Sequence, residues 1–317
     1  MEQIQNNRVI TDLYRENAQF PGIALDGSDV YLCWQRFVDR HDSLMASCRR
    51  GDEVVWEREI SDGGEVLHPV ILAHGGAIWY AWSEYARENW RILARCYRDG
   101  QWGEVLTVAS GEALFFPRLF TWQGKLHVIW TEQHKGSAAA VLCPLTEAGP
   151  GAAETVSAVG EAYRAGAAEG GDGNLYVAYD GFDGKQYKLF ARARTAAGWS
   201  EEIVVSQGED WASTPWIAAK PDGAVVGWYD YGYMAVYSVR SADLTVRDGA
   251  LAAVNPQCLK EGVDWYLDLH VASNSSGLQA MAYTRSKYPP GQRALEPSGA
   301  DVLRRRPLRR PSQAAGG

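Results

Sequence analysis

Four side chains in this sequence invite acid–base chemistry: Glu84, Glu132, Asp230 and His68. The three carboxylates each come just after a tryptophan, in AWSEY, IWTEQ and GWYDY, and His68 precedes a proline in VLHPV. Two carboxyl groups held roughly 5–9.5 Å apart hydrolyse a glycosidic bond, one as acid and the other as nucleophile or base. A histidine base with a tyrosine acid suits a polysaccharide lyase, and His68 or His134 could work with Tyr85 or Tyr163 in that way. The same residues also fit plainer places, the carboxylates as solvated hairpin charges and the histidines as structural side chains. No Cys/His grouping has metal-site spacing, no glycine-rich loop leads into a helix, and no Gly-x-Ser-x-Gly elbow is present. The sequence names neither a cofactor nor a metal.

The elements that must position these residues repeat. Pro21, Pro69, Pro117 and Ala165 are 48 residues apart. Trp34, Trp82 and Trp130 share that interval, and Tyr179, Trp228 and Tyr283 continue it at 49, 49 and 55. Within one period, PVILAHG, AIWYAWSEY, WRILARCYR and QWGEVLTV read as four short strands, with Gly75-Gly76 and Asp99-Gly100 as turns. Four antiparallel strands in such a period make one blade of a β-propeller. The predicted fold is all-β, a six-bladed propeller with blades near residues 20–66, 67–114, 115–162, 163–212, 213–264 and 265–288. NRVITDLYRENAQFP matches EVLTVASGEALFFP, so a strand at 7–13 is expected to complete the last blade and leave no free edge. The third period has no clear hairpin after His134, where KGSAAAVLCPLTEAGPGAAE stands. Residues 289–317 read as a disordered or aberrant basic tail, although the last blade needs a third strand from beyond Tyr288.

In a propeller, the loops between blades and those between second and third strands gather on one face, over the central channel. Ligands bind there, by fold analogy. The register just before each first strand changes from blade to blade: Phe20, His68, Phe116, Arg164, Thr214 and Leu267. Variation at one register of a constant scaffold is what an asymmetric site requires. Nearby, Tyr85, Tyr163, Trp211 and Trp265 offer ring faces to sugars or cations, and Arg36, Arg285 and His134 offer polar contacts. Glu65 and Glu112 belong to a Gly-Glu pair that recurs at Glu161 and Glu209. As a ring it would draw cations; as an inherited turn it would simply be solvated. The expected function is a module binding a carbohydrate, another small polar ligand or a protein domain on this face. The alternative is a carbohydrate-active hydrolase or lyase using Glu84, Glu132, Asp230 and His68.

VYLCWQRF, AIWYAWSEY followed by WRILARCYRDGQWGEV, and NLYVAYDGF followed by YKLFARARTAAGWSEE resemble the repeats of bacterial sialidase-like (BNR-like) propellers. Such units read as a strand ending in Ala-Trp, a turn, Ile-x-x-Arg, then Asp-Gly-x-Trp-Ser. The resemblance spans roughly residues 20–285 and implies a propeller, a fold found in glycosidases, polysaccharide lyases and accessory domains. The chain departs from true sialidases. It has no Ser-x-Asp-x-Gly-x-x-Trp box, RDGQW and AAGWS being nearest, and no Arg-Ile-Pro motif, from which FPRLF at 116–120 differs. Sialidase catalytic residues therefore have no positions here to be carried onto.

The totals agree with one large repeat domain: 317 residues, 46% hydrophobic, with 33 glycines for turns and 13 tryptophans and 16 tyrosines for strands. No apolar run is long enough for a membrane helix, so no membrane partner is expected. MEQIQNNRVI lacks the layout of a signal peptide, which predicts a cytoplasmic location. Cys48, Cys96 and Cys143 fall at equivalent repeat positions, held apart by the fold, and are expected to stay reduced. The net charge is −8, and residues 286–317 hold seven Lys/Arg against two acids, so the body is more acidic still. That argues against nucleic acid as a partner.

Overall fold

The computed structural model describes residues 17–61, 63–232, 237–263, 269–273, 279–285 and 299–305. Their regular structure is all β, in antiparallel sheets that follow one another along the chain. The first sheet orders β1 (Asn17–Asp26), β2 (Asp29–Val38), β3 (His41–Arg50) and β4 (Glu53–Glu59). The second holds β5 (Glu65–His74), β6 (Ala77–Ala86), β7 (Asn89–Arg98), β8 (Gln101–Trp102) and β9 (Leu106–Gly111), the last two both on β7. The third has β10 (Ala113–Trp122), β11 (Lys125–His134), β12 (Ser137–Thr146), β13 (Gly149–Pro150) and β14 (Glu154–Thr155). The fourth has β15 (Ala162–Glu169), β16 (Leu175–Phe182), β17 (Tyr187–Thr195), β18 (Gly198–Trp199) and β19 (Ile203–Val204). The fifth has β20 (Trp211–Lys220), β21 (Gly223–Tyr231), β22 (Tyr237–Arg247) and β23 (Ala250–Val263). The sixth group has three strands: β24 (Leu269–Ser273), β25 (Gln279–Arg285) and β26 (Gly299–Arg305). The strand needed beyond Tyr288 is thus β26, drawn from the Arg-rich segment that composition assigns to a tail. The strand expected at 7–13 lies outside the described residues.

The third sheet differs from its sequence reading. β12 is a full ten-residue strand with a regular hairpin to β11, Trp130 facing Val141. Its alanines hide the strand pattern because the site is crowded: Ala138 and Ala140 are buried with Leu142 and Cys143.

The second strands β6, β11, β16 and β21 are buried along most of their length. Sheets stack face on face, so a central strand is covered on both sides and its sequence runs continuously apolar. Trp82, Trp130, Trp228, Tyr80, Tyr176 and Tyr179 fill this core. The first strand of each sheet packs on the first strand of the next, from β1 through β24, so the first strands line a common axis. β1 is open on one side: Pro21 is exposed and Ile23 and Leu25 are each 65% exposed, whereas Pro69 and Pro117 at equivalent places are buried. Cys33, Cys48, Cys96 and Cys143 are buried free thiols. No helix among the described residues is long and apolar enough to cross a membrane.

The first strands share one irregularity. The β1–β2 register shifts between Gln19 and Gly22, and the same shift occurs at Leu67/Val70, Phe115/Arg118, Tyr163/Gly166 and Ser213/Trp216. Within each bulge one non-glycine residue has positive φ: Phe20, His68, Phe116, Arg164 and Thr214, at 44–55°. Four of the five precede a proline, which makes the left-handed region costlier still. A bulge bends its strand and re-aims a side chain, and strained backbone of this kind gathers at functional sites.

Candidate functional site

The five bulges set the variable register on successive first strands, which pack on one another. The His68 ring lies between Phe20 and Phe116, with centroids at 4.9 and 4.1 Å. Three sheets thus contribute one column of rings. From Phe116 the rings continue outward through Phe115 to Trp90 and Tyr85. Two of the bulges also bond to a neighbouring sheet through a backbone N–H. The Arg164 N–H donates to Thr131 Oγ1 at 3.0 Å, and the Thr214 N–H donates to the Asp180 carboxylate.

Burial, with Arg118 and Arg164 close by, pushes His68 down to about 4, so its imidazole is neutral at pH 7. This removes it as a proton donor there and leaves it a ring and a weak base. The folded pKa lies below the unfolded one, so the unfolded chain takes up more protons between about 6.5 and 4. Stability from this residue is complete above pH 6.5 and is lost as pH falls through 4. Denaturant titrations of His68→Gln are expected to show a flatter stability profile across pH 4–6.5 than those of the wild type.

Two charged residues that the sequence reading did not single out complete the floor. Arg118, two residues beyond Phe116, lies over the Trp216 ring at 4.1 Å and donates to the Pro215 carbonyl at 3.0 Å. It thus reaches from the third sheet to the fifth. Gly166, in the fourth, is what lets it pass: a Cβ there would meet Arg118 Nη1 at 3.1 Å. Asp180, wholly buried, takes Arg164 in a bidentate pair, Nε lying 3.0 and 3.1 Å from the two carboxylate oxygens. Asp180 pairs in register with Tyr163, whereas Glu84, Glu132 and Asp230 pair with Val66, Leu114 and Ala212, one step along. Side chains alternate faces along a strand, so Asp180 points to the opposite side from those three. With His68 neutral, Arg118, Arg164 and Asp180 leave one positive charge at the floor.

Each of the three candidate catalytic carboxylates rests on the tryptophan two residues before it. Trp82 Nε1 donates to Glu84 at 3.2 Å, Trp130 Nε1 to Glu132 at 3.3 Å, and Trp228 Nε1 to Asp230 at 2.6 Å. Glu84 also closes an ion pair with Arg91, and Asp230 one with Arg240. Among the described residues no hydrogen bond or ion pair joins any two of the three carboxylates. Gly64 roofs Glu84: a Cβ on it would stand 2.5 Å from Glu84 Cγ. Gly64→Ala is expected to destabilise the fold by about 1–3 kcal/mol in chemical denaturation, since it must push Glu84 off Trp82 and Arg91. Glu132 is the only one of the three that is half-exposed without an arginine partner.

The remaining candidates occupy the rim or serve other ends. Tyr163, Tyr187, Trp211, Tyr231 and Tyr237 form a second run of touching rings, at centroid distances of 5.2–6.2 Å. Tyr85 and Trp211 are 37% and 40% exposed, so both present a face to solvent. Desolvation raises the Tyr163 hydroxyl above the usual tyrosine range, which makes it a poorer acid. Glu112 meets His134 at 3.2 Å on the exposed edge, and Arg36 is turned outward to Glu59 at 3.2 Å. Glu65 is exposed at the start of β5. Arg285 ends β25 opposite Gly299, and Trp265 lies outside the described residues.

No family model matches the chain, and no curated protein matches it in sequence. Solved structures are similar to it in fold. A subtype N10 neuraminidase-like protein of A/little yellow-shouldered bat/Guatemala/060/2010 aligns over 92% of this chain and 95% of its own, at 7% identity and TM-score 0.58. The NanB sialidase from Streptococcus pneumoniae aligns over 86% of this chain and 65% of its own, at 7% identity and TM-score 0.58. A puromycin-hydrolyzing peptidase of Mycobacterium tuberculosis aligns over 89% of this chain but 44% of its own, at 16% identity and TM-score 0.51. At such identities the likeness is one of fold: the chain has a sialidase-like β-propeller fold.

Proposed function

We propose that this chain is a propeller module that binds a carbohydrate, or a small polar ligand of similar shape, in the basin over its channel. The observation that carries this is the set of five bulges, which aim non-repeating side chains at one floor while the framework around them repeats. Ring faces at Phe116, Tyr85 and Trp211 suit the apolar faces of sugar rings, and the net positive charge beside Arg118 favours a ligand with an anionic or strongly polar group. We further propose six blades closed by the segment at 7–13. The three-stranded sixth sheet and the open side of β1 at Ile23 and Leu25 support that closure.

One observation favours an enzyme instead. Burial pushes Asp230 up to about 6, despite Trp228 and Arg240, and a carboxyl group whose pKa approaches the working pH is a serviceable general acid. A glycan array paired with a reducing-sugar assay on array-positive glycans separates the two. Binding without turnover is the expected outcome. Turnover that disappears in Asp230→Asn or Glu132→Gln would establish the hydrolytic reading.

A further inference from the structure

At the far end of the first two sheets from the bulges, the turns enclose a cavity of about 290 Å³. One wall is aromatic: Tyr31, Trp56 and Tyr97 touch one another with centroids 5.0–6.3 Å apart. Asp26, Asp29 and Asp99 line it with a single cation, Arg50.

The repeat explains why this seam is open. Arg98, 48 residues after Arg50, crosses to the next sheet and meets Glu147 with Nε to Oε1 at 2.9 Å. Glu147 in turn is 48 residues after Asp99, so the equivalent bridge would join Arg50 to Asp99. Arg50 does not make it. Its Nε and Nη2 lie 2.7 and 2.8 Å from the two oxygens of Asp29, in its own sheet. The second sheet has Ala77 where the first has Asp29, so Arg98 has no such rival partner. Asp26 and Asp99 are left exposed, with no ion-pair partner among the described residues. Behind the wall, the fully buried Tyr80 has a hydroxyl with no hydrogen-bond partner, close to the lining residues Tyr31, Cys48 and Tyr97.

The acids do not converge on a metal position: among the described residues no group of three His, Cys, Asp or Glu could hold an ion. Separate carboxylates beside a ring wall instead match an extended cation, with methylenes on the rings and charged ends at the acids. We propose that this cavity binds a small organic cation, an amine or guanidinium compound, at a site independent of the loop-face basin.

Calorimetric titration with agmatine tests this on the full chain. The wild type is expected to bind it and to ignore the neutral 1,4-butanediol. Asp26→Asn and Asp99→Asn, both in exposed turns, should each weaken binding at least tenfold. Val55→Trp should abolish it by filling the cavity, and Asp29→Ala should weaken it by freeing Arg50 to reach Asp99. Circular dichroism establishes that each variant is folded. Absence of heat with the wild type at millimolar agmatine overturns the proposal. So does unchanged affinity in both Asp26→Asn and Asp99→Asn, or displacement of agmatine by equimolar calcium chloride.

Discussion

Replacing Arg164 by methionine is expected to lower stability at pH 7 by about 3–5 kcal/mol, because it strands the carboxylate of Asp180 in a buried place. Asp180 has no exposure, and burial already raises its pKa although Arg164 opposes this. In the variant the carboxyl would take up a proton rather than stay charged. Its folded pKa would then lie far above its unfolded one, so the loss should grow as pH rises and shrink toward pH 4. The double variant Arg164→Met/Asp180→Leu should recover most of the stability, since a buried pair replaced by apolar groups costs little. Urea titrations of the two single variants and the double at pH 5 and 7 check this. If the losses are simply additive and independent of pH, the pair is not the buried couple described here.

The second large effect concerns binding. Phe116→Ala should weaken the tightest array-selected glycan by about a hundredfold, on the order of 2–3 kcal/mol, as expected for an aromatic anchor at the centre of a site. Arg118→Met should act as strongly, and on anionic ligands above all. Trp211→Ala, on the rim, should cost about tenfold. Glu209→Gln should cost nothing, because that glutamate is exposed and, among the described residues, its carboxylate pairs only with Lys185 at 3.4 Å. Isothermal titration of these four variants ranks them. Equal losses at Glu209 and Phe116 would restore the repeating glutamates as the site.

Much of the architecture was legible in the 48-residue period, because a strand buried on both faces carries a tryptophan at a fixed place, as Trp82 and Trp130 do. The register Phe20, His68, Phe116, Arg164 and Thr214 was also legible as variation against that constant frame. Its backbone was not: nothing in propensity alone places a residue before proline at φ near 50°. Arg118 was not legible as part of the floor, because its role comes from its register, two residues past a bulge, and not from a local motif. Asp180 was missed for a similar reason. The available signal was its spacing, one residue after Tyr179 where Glu84, Glu132 and Asp230 stand two after their tryptophans, the offset that turns it toward Arg164. A sequence shows the charge of Glu84 and Asp230 and not the tryptophan and arginine that hold each of them. Ala138 and Ala140 hid the β12 hairpin, since small side chains in a crowded seam mimic a loop.

The most direct test is hydrogen exchange of the full chain with and without a saturating array-selected glycan. Ligand should slow exchange in the bulge peptides around Phe20, His68, Phe116, Arg164 and Thr214 together, and leave the Asp26–Asp29 and Asp99 turns unchanged. Protection confined to one outer strand or to those far turns, with the five bulges unaffected, would contradict a binding basin over the channel.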